Sequence, residues 1–201
     1  MKFILVRHGE TTANTNSVIL GGKEGGTLSD RGNRQAKALG ERLAAERLSE
    51  VYCSPANRAR QTCEAMLKGR EIRPTFKEEL REIEMGDLVG LSHEEAEKRF
   101  PNIFEDIFAH PDKPIPGGES LADVSTRVIP LLESLAQNDG NPTILAVGHN
   151  VVNRVILSYL LSMPLEKAKN IKQKNCSISV LDVKPGFARL YTLDNSIHVM
   201  R

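Results

Sequence analysis

The chain has 201 residues, long enough for one well-buried domain without demanding two. It is 40% hydrophobic and 26% charged with a net charge of +1, a balance that argues against a nucleic-acid binder, which concentrates a basic excess. Cys53, Cys63 and Cys176 are odd in number and share no metal-ligand spacing, so neither a disulfide framework nor a zinc cluster is expected.

The thiols suit a reducing compartment. Lys2 before Phe3-Ile4-Leu5-Val6 starts like a signal peptide, but the apolar run stops too soon, and no segment is long enough to span a membrane. A cytoplasmic location is expected. Phe3-Ile4-Leu5-Val6 itself suits a strand buried on both faces, which belongs in a sheet covered by helices. It ends in Arg7, His8 and Gly9, at the carboxyl end where open α/β sheets bind ligands. Gly9 would let the backbone turn and approach a ligand closely.

Residues 15–28, with Gly21-Gly22 and Gly25-Gly26, read as a loop. Ser29 is an expected N-cap, and the spacing of Ala36, Leu39, Leu43 and Ala44 predicts a helix to about Arg47. Val51-Tyr52-Cys53 is a short strand closed by Ser54-Pro55, followed by a helix that buries Ala59, Cys63, Met66 and Leu67. Glu71 to Phe76 is expected as a third strand, moved towards a sheet edge by Pro74.

Residues 77–118 are the least regular part. Glu78, Glu79, Glu82 and Glu84 crowd together, and short helices are expected over His93 to Arg99 and Asn102 to Ala109. Pro111, Pro114, Pro116, Gly117 and Gly118 make a loop able to cover a pocket. After Ser120, the residues Leu121, Val124, Val128, Leu131, Leu132 and Leu135 share one helical face, which Pro130 should kink. Asn141-Pro142 turns into the strand Thr143 to Val147, which ends in Gly148-His149-Asn150 ahead of a buried helix from Val151 to Leu161. Ser177 to Val183 and Arg189 to Leu193 are closing strands around Pro185-Gly186. This alternation predicts a three-layer α/β/α sandwich with a largely parallel central sheet, residues 1–201 forming one domain.

The first and fourth strands end alike, in a His before a turn and helix start, so parallel strands would place His8 and His149 at one sheet edge. Arg58 lies one turn into the helix behind Ser54. Arg7, Arg58, His8 and His149 could therefore converge beside exposed N–H groups at helix starts, an anion site suited to tetrahedral phosphate. A neutral imidazole there can attack phosphorus and carry the phosphoryl group. The leaving alkoxide needs a proton, which the 78–84 acidic cluster can supply.

Val6-Arg7-His8-Gly9-Glu10-Thr11 with Asn14 resembles the signature of the histidine phosphatase superfamily, the phosphoglycerate-mutase-like fold. The resemblance continues in order through Leu28-Ser29-Asp30-Arg31-Gly32, Ser54-Pro55-Ala56-Asn57-Arg58, Leu80-Arg81-Glu82-Ile83-Glu84-Met85-Gly86, Gly118-Glu119-Ser120 with Arg127, and Val147-Gly148-His149-Asn150. It implies that His8 is the transiently phosphorylated nucleophile and that Arg7, Arg58 and His149 hold the equatorial phosphoryl oxygens. It implies Glu82 as general acid/base, with Glu84 the second choice, and Asn14 as a phosphate contact with Thr11 near it. No metal and no cofactor are implied for this step. Leu88-Val89 stands where a Trp-Glu pair is common, and Gly148 and Asn150 flank His149 where Ser or Thr and Gly are more usual. These departures bear on pocket shape, and so on substrate. His93, His110 and His198 match no motif and are expected at the surface, and Glu119 and Ser120 are expected to be structural. Asn150, Asn153 and Arg154 form a polar stripe that capping and packing explain about as well as ligand contact does.

The expected function is hydrolysis of the phosphomonoester of a small metabolite, without nucleic-acid or membrane partners; a homodimer would be unremarkable for the family. α-Ribazole-phosphate phosphatase is a specific alternative, suggested by Met163-Pro164 and Asn175-Cys176-Ser177. Cofactor-dependent phosphoglycerate mutase is another; those mutases typically insert a segment bearing paired arginines, whereas residues 91–118 contain only Arg99. A metallohydrolase ligated by His8, His149 and Glu82 is opposed by the two guanidinium groups and by the lack of a His-Glu-x-x-His element. A catalytically silent phosphopeptide-binding module is the rival outside enzymes.

Overall fold

A computed structural model of the chain describes residues 1–22, 26–138 and 140–199, so Gly25 of the expected glycine pairs lies outside the described residues. The frame is a six-stranded sheet of β1 (Lys2–Arg7), β2 (Glu50–Cys53), β3 (Thr75–Phe76), β4 (Thr143–Gly148), β5 (Ile178–Lys184) and β6 (Phe187–Asn195). The spatial order is β3-β2-β4-β1-β5-β6; the first four strands are parallel and the last two antiparallel. The helices are α1 (Thr12–Thr15), α2 (Asp30–Arg42), α3 (Asn57–Met66), α4 (His93–Arg99), α5 (Ile103–Ala109), α6 (Leu121–Ala136) and α7 (Asn150–Leu160).

Side chains alternate across a strand, so a strand covered on both sides must be apolar throughout. Phe3 and Leu5 enter one core with Ile144 and Ala146, beneath α6 and α7. Ile4 and Val6 enter the other with Leu145 and Val147, beneath α2 and α3. The three expected layers follow from this division.

Two elements are shorter than the sequence predicts. α2 stops at Arg42 rather than near Arg47 because the Arg70 guanidinium donates to the carbonyls of Leu43 and, at 3.0 Å, Glu46, where a further helical turn would have placed its own N–H groups. The third strand is Thr75–Phe76 rather than 71–76: its only neighbour among the described strands is the four-residue β2, and Pro74 offers no N–H to extend the ladder. Pro130 lies inside α6 without ending it. Both Pro130 and Thr126, whose carbonyl loses its helical partner, face solvent, so water can take the freed oxygen.

The register levels the strand ends. Arg7 pairs with Gly148 and Cys53 with Val147, while His8 N donates to Gly148 O at 3.1 Å and Ser54 N to Val147 O at 2.9 Å. His8, Ser54 and His149 therefore leave the sheet along one edge. β5 runs the other way and begins opposite Val6, so the segment before it arrives at the same edge.

Close approach explains two of the glycines here. A Cβ on Gly9 would lie 2.9 Å from Gly32 O, so contact with α2 already demands the glycine. A Cβ on Gly148 would lie 2.3 Å from Asn153 Oδ1, and Asn153 Nδ2 donates to Val6 O at 3.2 Å. Asn153 thus fills the room that a serine or threonine at 148 would need. Gly148→Ala is expected to cost about 1–3 kcal/mol, as overpacking does. Combined with Asn153→Ala, it should cost less than the two single losses added, because the shorter side chain vacates the collision. Urea unfolding of the four proteins checks this, and strict additivity would contradict it.

Candidate active site

His8 and His149 face each other at the levelled edge, their ring centroids 5.0 Å apart and tilted by 58°. Both are buried, His8 at 5% exposure and His149 at 0%. His8 Nδ1 lies 2.7 Å from Gly9 O. A carbonyl only accepts, so Nδ1 carries the proton and Nε2 keeps a lone pair. Gly9 N donates to Thr62 Oγ1 at 2.9 Å, and that hydroxyl donates to Arg58 O at 2.7 Å, which ties the turn after β1 to α3.

Arg58, 2% exposed, reaches across from α3. Its Nε donates to His149 Nδ1 at 3.1 Å and its Nη2 to Gly21 O at 3.1 Å. An accepting Nδ1 leaves the proton on His149 Nε2, which is 2.7 Å from Ser54 Oγ. Burial holds both imidazoles well below the ordinary histidine value, and the charges of Arg58 and Arg7 push in the same direction. The Gly9 hydrogen bond opposes this on His8 and does not prevail. Both rings are therefore neutral near pH 7.

Arg7 donates from Nη1 to Gln173 O at 2.6 Å, and its Nε is buried without a partner. Burial lowers its pKa; the nearby charge of Glu82 opposes that effect, and Arg154 adds to it. The segment before β5 also sends Asn175 Nδ2 to His8 O at 3.0 Å and Cys176 N to Arg7 O at 3.0 Å.

Glu82, 8% exposed, sits against the first turn of α7. Its Oε1 accepts from Ile83 N at 3.1 Å, Val151 N at 3.1 Å and Val152 N at 3.0 Å, and among the described residues its Oε2 accepts only from Val151 N, at 3.1 Å. Two of the α7 N–H groups that the sequence leaves exposed for phosphate, those of Val151 and Val152, are thus already satisfied by a side chain. Glu84, the rival acid, is drawn into an ion pair with Arg81 at 2.6 Å. Arg127 clasps the segment that bears Glu82. It donates to Glu79 O at 2.7 Å and Glu82 O at 3.2 Å while pairing with Glu119 at 3.1 and 3.2 Å. Glu119 and Ser120 are structural as expected, Ser120 capping α6.

The structure brings Arg7, His8, Arg58, His149 and Glu82 to one region. Thr11 and Asn14 instead satisfy each other: Thr11 Oγ1 accepts from Asn14 N at 3.1 Å and Asn14 Oδ1 from Thr11 N at 3.0 Å, a capping box for α1. Ser54, Gly21, Gln173 and Asn175 were not singled out as site residues. Apart from Ser54, which ends a strand motif, they act through backbone oxygens or on them and leave no residue-type signal. His93 and His110 are exposed, but His198 is half-buried, its Nε2 2.9 Å from Cys176 O, because the Ile197–Val199 turn packs beside the Cys176 segment. No three His, Cys, Asp or Glu side chains group as a metal site among the described residues. A groove of about 520 Å³ lies elsewhere, between the far ends of α6 and α7 and the β5–β6 turn.

The sequence profile of the histidine phosphatase superfamily (branch 1) matches residues 3–196, and the chain belongs to that family. It is an enzyme of the phosphoric monoester hydrolase type. Phosphoserine phosphatase 1 of Hydrogenobacter thermophilus is 32% identical over 185 residues, covering 92% of this chain and 87% of that protein. A probable phosphoglycerate mutase, GpmB, of Salmonella choleraesuis is 30% identical over 187 residues, covering 90% and 85%. YhfR of Bacillus stearothermophilus superposes with a TM-score of 0.90 at 29% identity over 98% of each chain.

Arg127→Ala frees the Glu82 segment while leaving Arg7, Arg58 and His8 in place. A misplaced acid should lower kcat by about 10- to 100-fold with a smaller change in KM. Steady-state kinetics on an alkyl phosphate check this; an unchanged kcat would show that the clasp does not set the position of Glu82.

Proposed function

We propose that this chain hydrolyses small phosphomonoesters by passing the phosphoryl group through His8 Nε2. The observation that carries the reading is the Nδ1–H bond to Gly9 O, which aims the lone pair of a neutral, buried imidazole into a site bearing two guanidinium groups. In this reading residues 1–201 act as one catalytic domain. Three buried free thiols fit a reducing, cytoplasmic setting.

Arg7 and Arg58 neutralise the phosphoryl oxygens, and Asn14 Nδ2 is the group of that residue left to meet one. His149 gives its Ser54 bond up to a phosphoryl oxygen and meanwhile steadies Arg58. His8 Nε2 attacks phosphorus as the P–O ester bond breaks, and the leaving oxygen takes its proton from Glu82. Oε2, with a single N–H partner, has room to carry that proton. The resulting carboxylate then takes a proton from water, which attacks the phosphohistidine and releases phosphate. Return of the phosphoryl group to substrate, as in a mutase, is the competing reading; the lack of paired arginines in residues 91–118 favours water.

His8→Ala should abolish phosphate release and the acid-labile phosphoenzyme trapped by rapid quenching. Glu82→Gln should lower the rate of phosphoenzyme formation by about 10²–10⁴-fold on an alkyl phosphate and far less on p-nitrophenyl phosphate, whose leaving group needs no proton, so that nitrophenol appears in a burst ahead of slow phosphohistidine hydrolysis. Mutase turnover exceeding hydrolysis on phosphoglycerates would overturn the choice of reaction.

The depressed His8 pKa also fixes a pH limb. Protonated imidazole cannot attack, and burial with the Arg58 and Arg7 charges keeps it unprotonated to well below its ordinary 6.5. The fall of kcat/KM on the acid side due to His8 should therefore lie well below pH 6.5, and a limb centred near 6.5 would contradict a buried nucleophile.

A further inference from the structure

The polar stripe at the start of α7 divides in two. Asn153 faces inward and is consumed by packing, holding Val6 O and filling the space beside Gly148. Arg154 has no such employment. It forms no hydrogen bond or ion pair among the described residues, and its Nε is buried without a partner. Its guanidinium lies over the Phe108 ring, 5.4 Å from the centroid. Stacking of that kind supports the flat face of a guanidinium and leaves the donor edge open. One turn earlier on the same helix, Asn150 Oδ1 is also buried without a partner.

Arg154 belongs to the same electrostatic neighbourhood as the reacting groups. Its charge acts on Arg7, and Glu82 acts on both. Glu82 makes no ion pair with it, since the carboxylate oxygens are held by the N–H groups of Ile83, Val151 and Val152, and in the acid form that delivers the proton in the proposed step Glu82 carries no charge. A phosphoryl dianion matches the two charges of Arg7 and Arg58. Arg154 is then a third cation, half-buried, with its Nε fully shielded and no ion-pair partner among the described residues.

On the phosphatase reading above, we propose that Arg154 is a specificity residue that binds a carboxylate on the same substrate molecule, so that the preferred substrates are phosphomonoesters of small carboxylic acids. A carboxylate matches the fork of one guanidinium in both geometry and charge. A second phosphate would bring two charges to a single spare cation.

The test uses pairs that differ only in the carboxylate. Propyl phosphate and 3-phosphonooxypropanoate serve as substrates, and propylphosphonate and 3-phosphonopropanoate serve as ligands that cannot be hydrolysed. The wild-type protein should prefer the carboxylate member of each pair by about 10- to 100-fold, in kcat/KM and in Kd, the range of a charge-assisted hydrogen bond. Arg154→Gln should bring both ratios close to one, and Arg154→Lys should restore part of them. The ratio is internal to each protein, so a loss of folded material or a merely structural role would leave it unmoved. No preference in the wild-type protein, or a preference that survives Arg154→Gln, would overturn the proposal. If neither ester released phosphate, the phosphatase reading would fail, and the phosphonate pair would still decide whether Arg154 reads a carboxylate.

Discussion

Everything at the site depends on the parallel pairing of β1 with β4. With Arg7 opposite Gly148, the next residues on the two strands are His8 and His149, and no other register brings both imidazoles to one edge. The pairing is held by two cores at once, because Phe3 and Leu5 point one way while Ile4 and Val6 point the other. Asn153 adds a direct tie from α7 to Val6, the residue just before the site begins. A slip of one residue would send the apolar side chains to the wrong layers, so the hydrophobic pattern that folds the sheet also aligns the chemistry.

Collecting three guanidinium groups and two imidazoles at one edge is electrostatically costly, and the structure meets the cost by keeping the imidazoles neutral. Burial and the cations act in the same direction on both rings. The outcome is a neutral His8 imidazole, the form the proposed nucleophile requires, in a positive field suited to an anion. The hydrogen-bond directions agree with this arrangement: Gly9 O takes the His8 proton on the side away from the lone pair, and Arg58 takes the His149 lone pair.

Much of this was legible in the sequence. An apolar run ended by a cation and an imidazole is readable because strand periodicity shows both burial and the point where it stops. The layers, the closing hairpin and the short helices α4 and α5 followed from the same signals. What was not legible came from distant partners. Arg70 ends α2 by capturing carbonyls 24 and 27 residues away, and nothing near Arg42 announces it. Gln173 holds Arg7 across 166 positions through a backbone oxygen that every residue type carries. The mutual capping of Thr11 and Asn14 was hidden for a different reason, since a capping box and a phosphate contact draw on the same polar residue types.

The choice among the acids shows the same limit from the other side. Glu78, Glu79, Glu82 and Glu84 are equivalent by composition; the family resemblance singles out Glu82, and only the fold gives the physical reason. Arg81 removes Glu84 by pairing with it, and Arg127 pulls the chain so that Glu82 meets the first turn of α7. A helix start is a ready anion site, yet here its N–H groups hold a carboxylate of the chain itself. On the proposed mechanism the phosphate is left to the guanidinium groups, while one helix start both follows His149 and holds the carboxylate of Glu82. One element would therefore fix two groups that the proposed hydrolysis uses, His149 at the phosphoryl oxygens and Glu82 at the leaving oxygen.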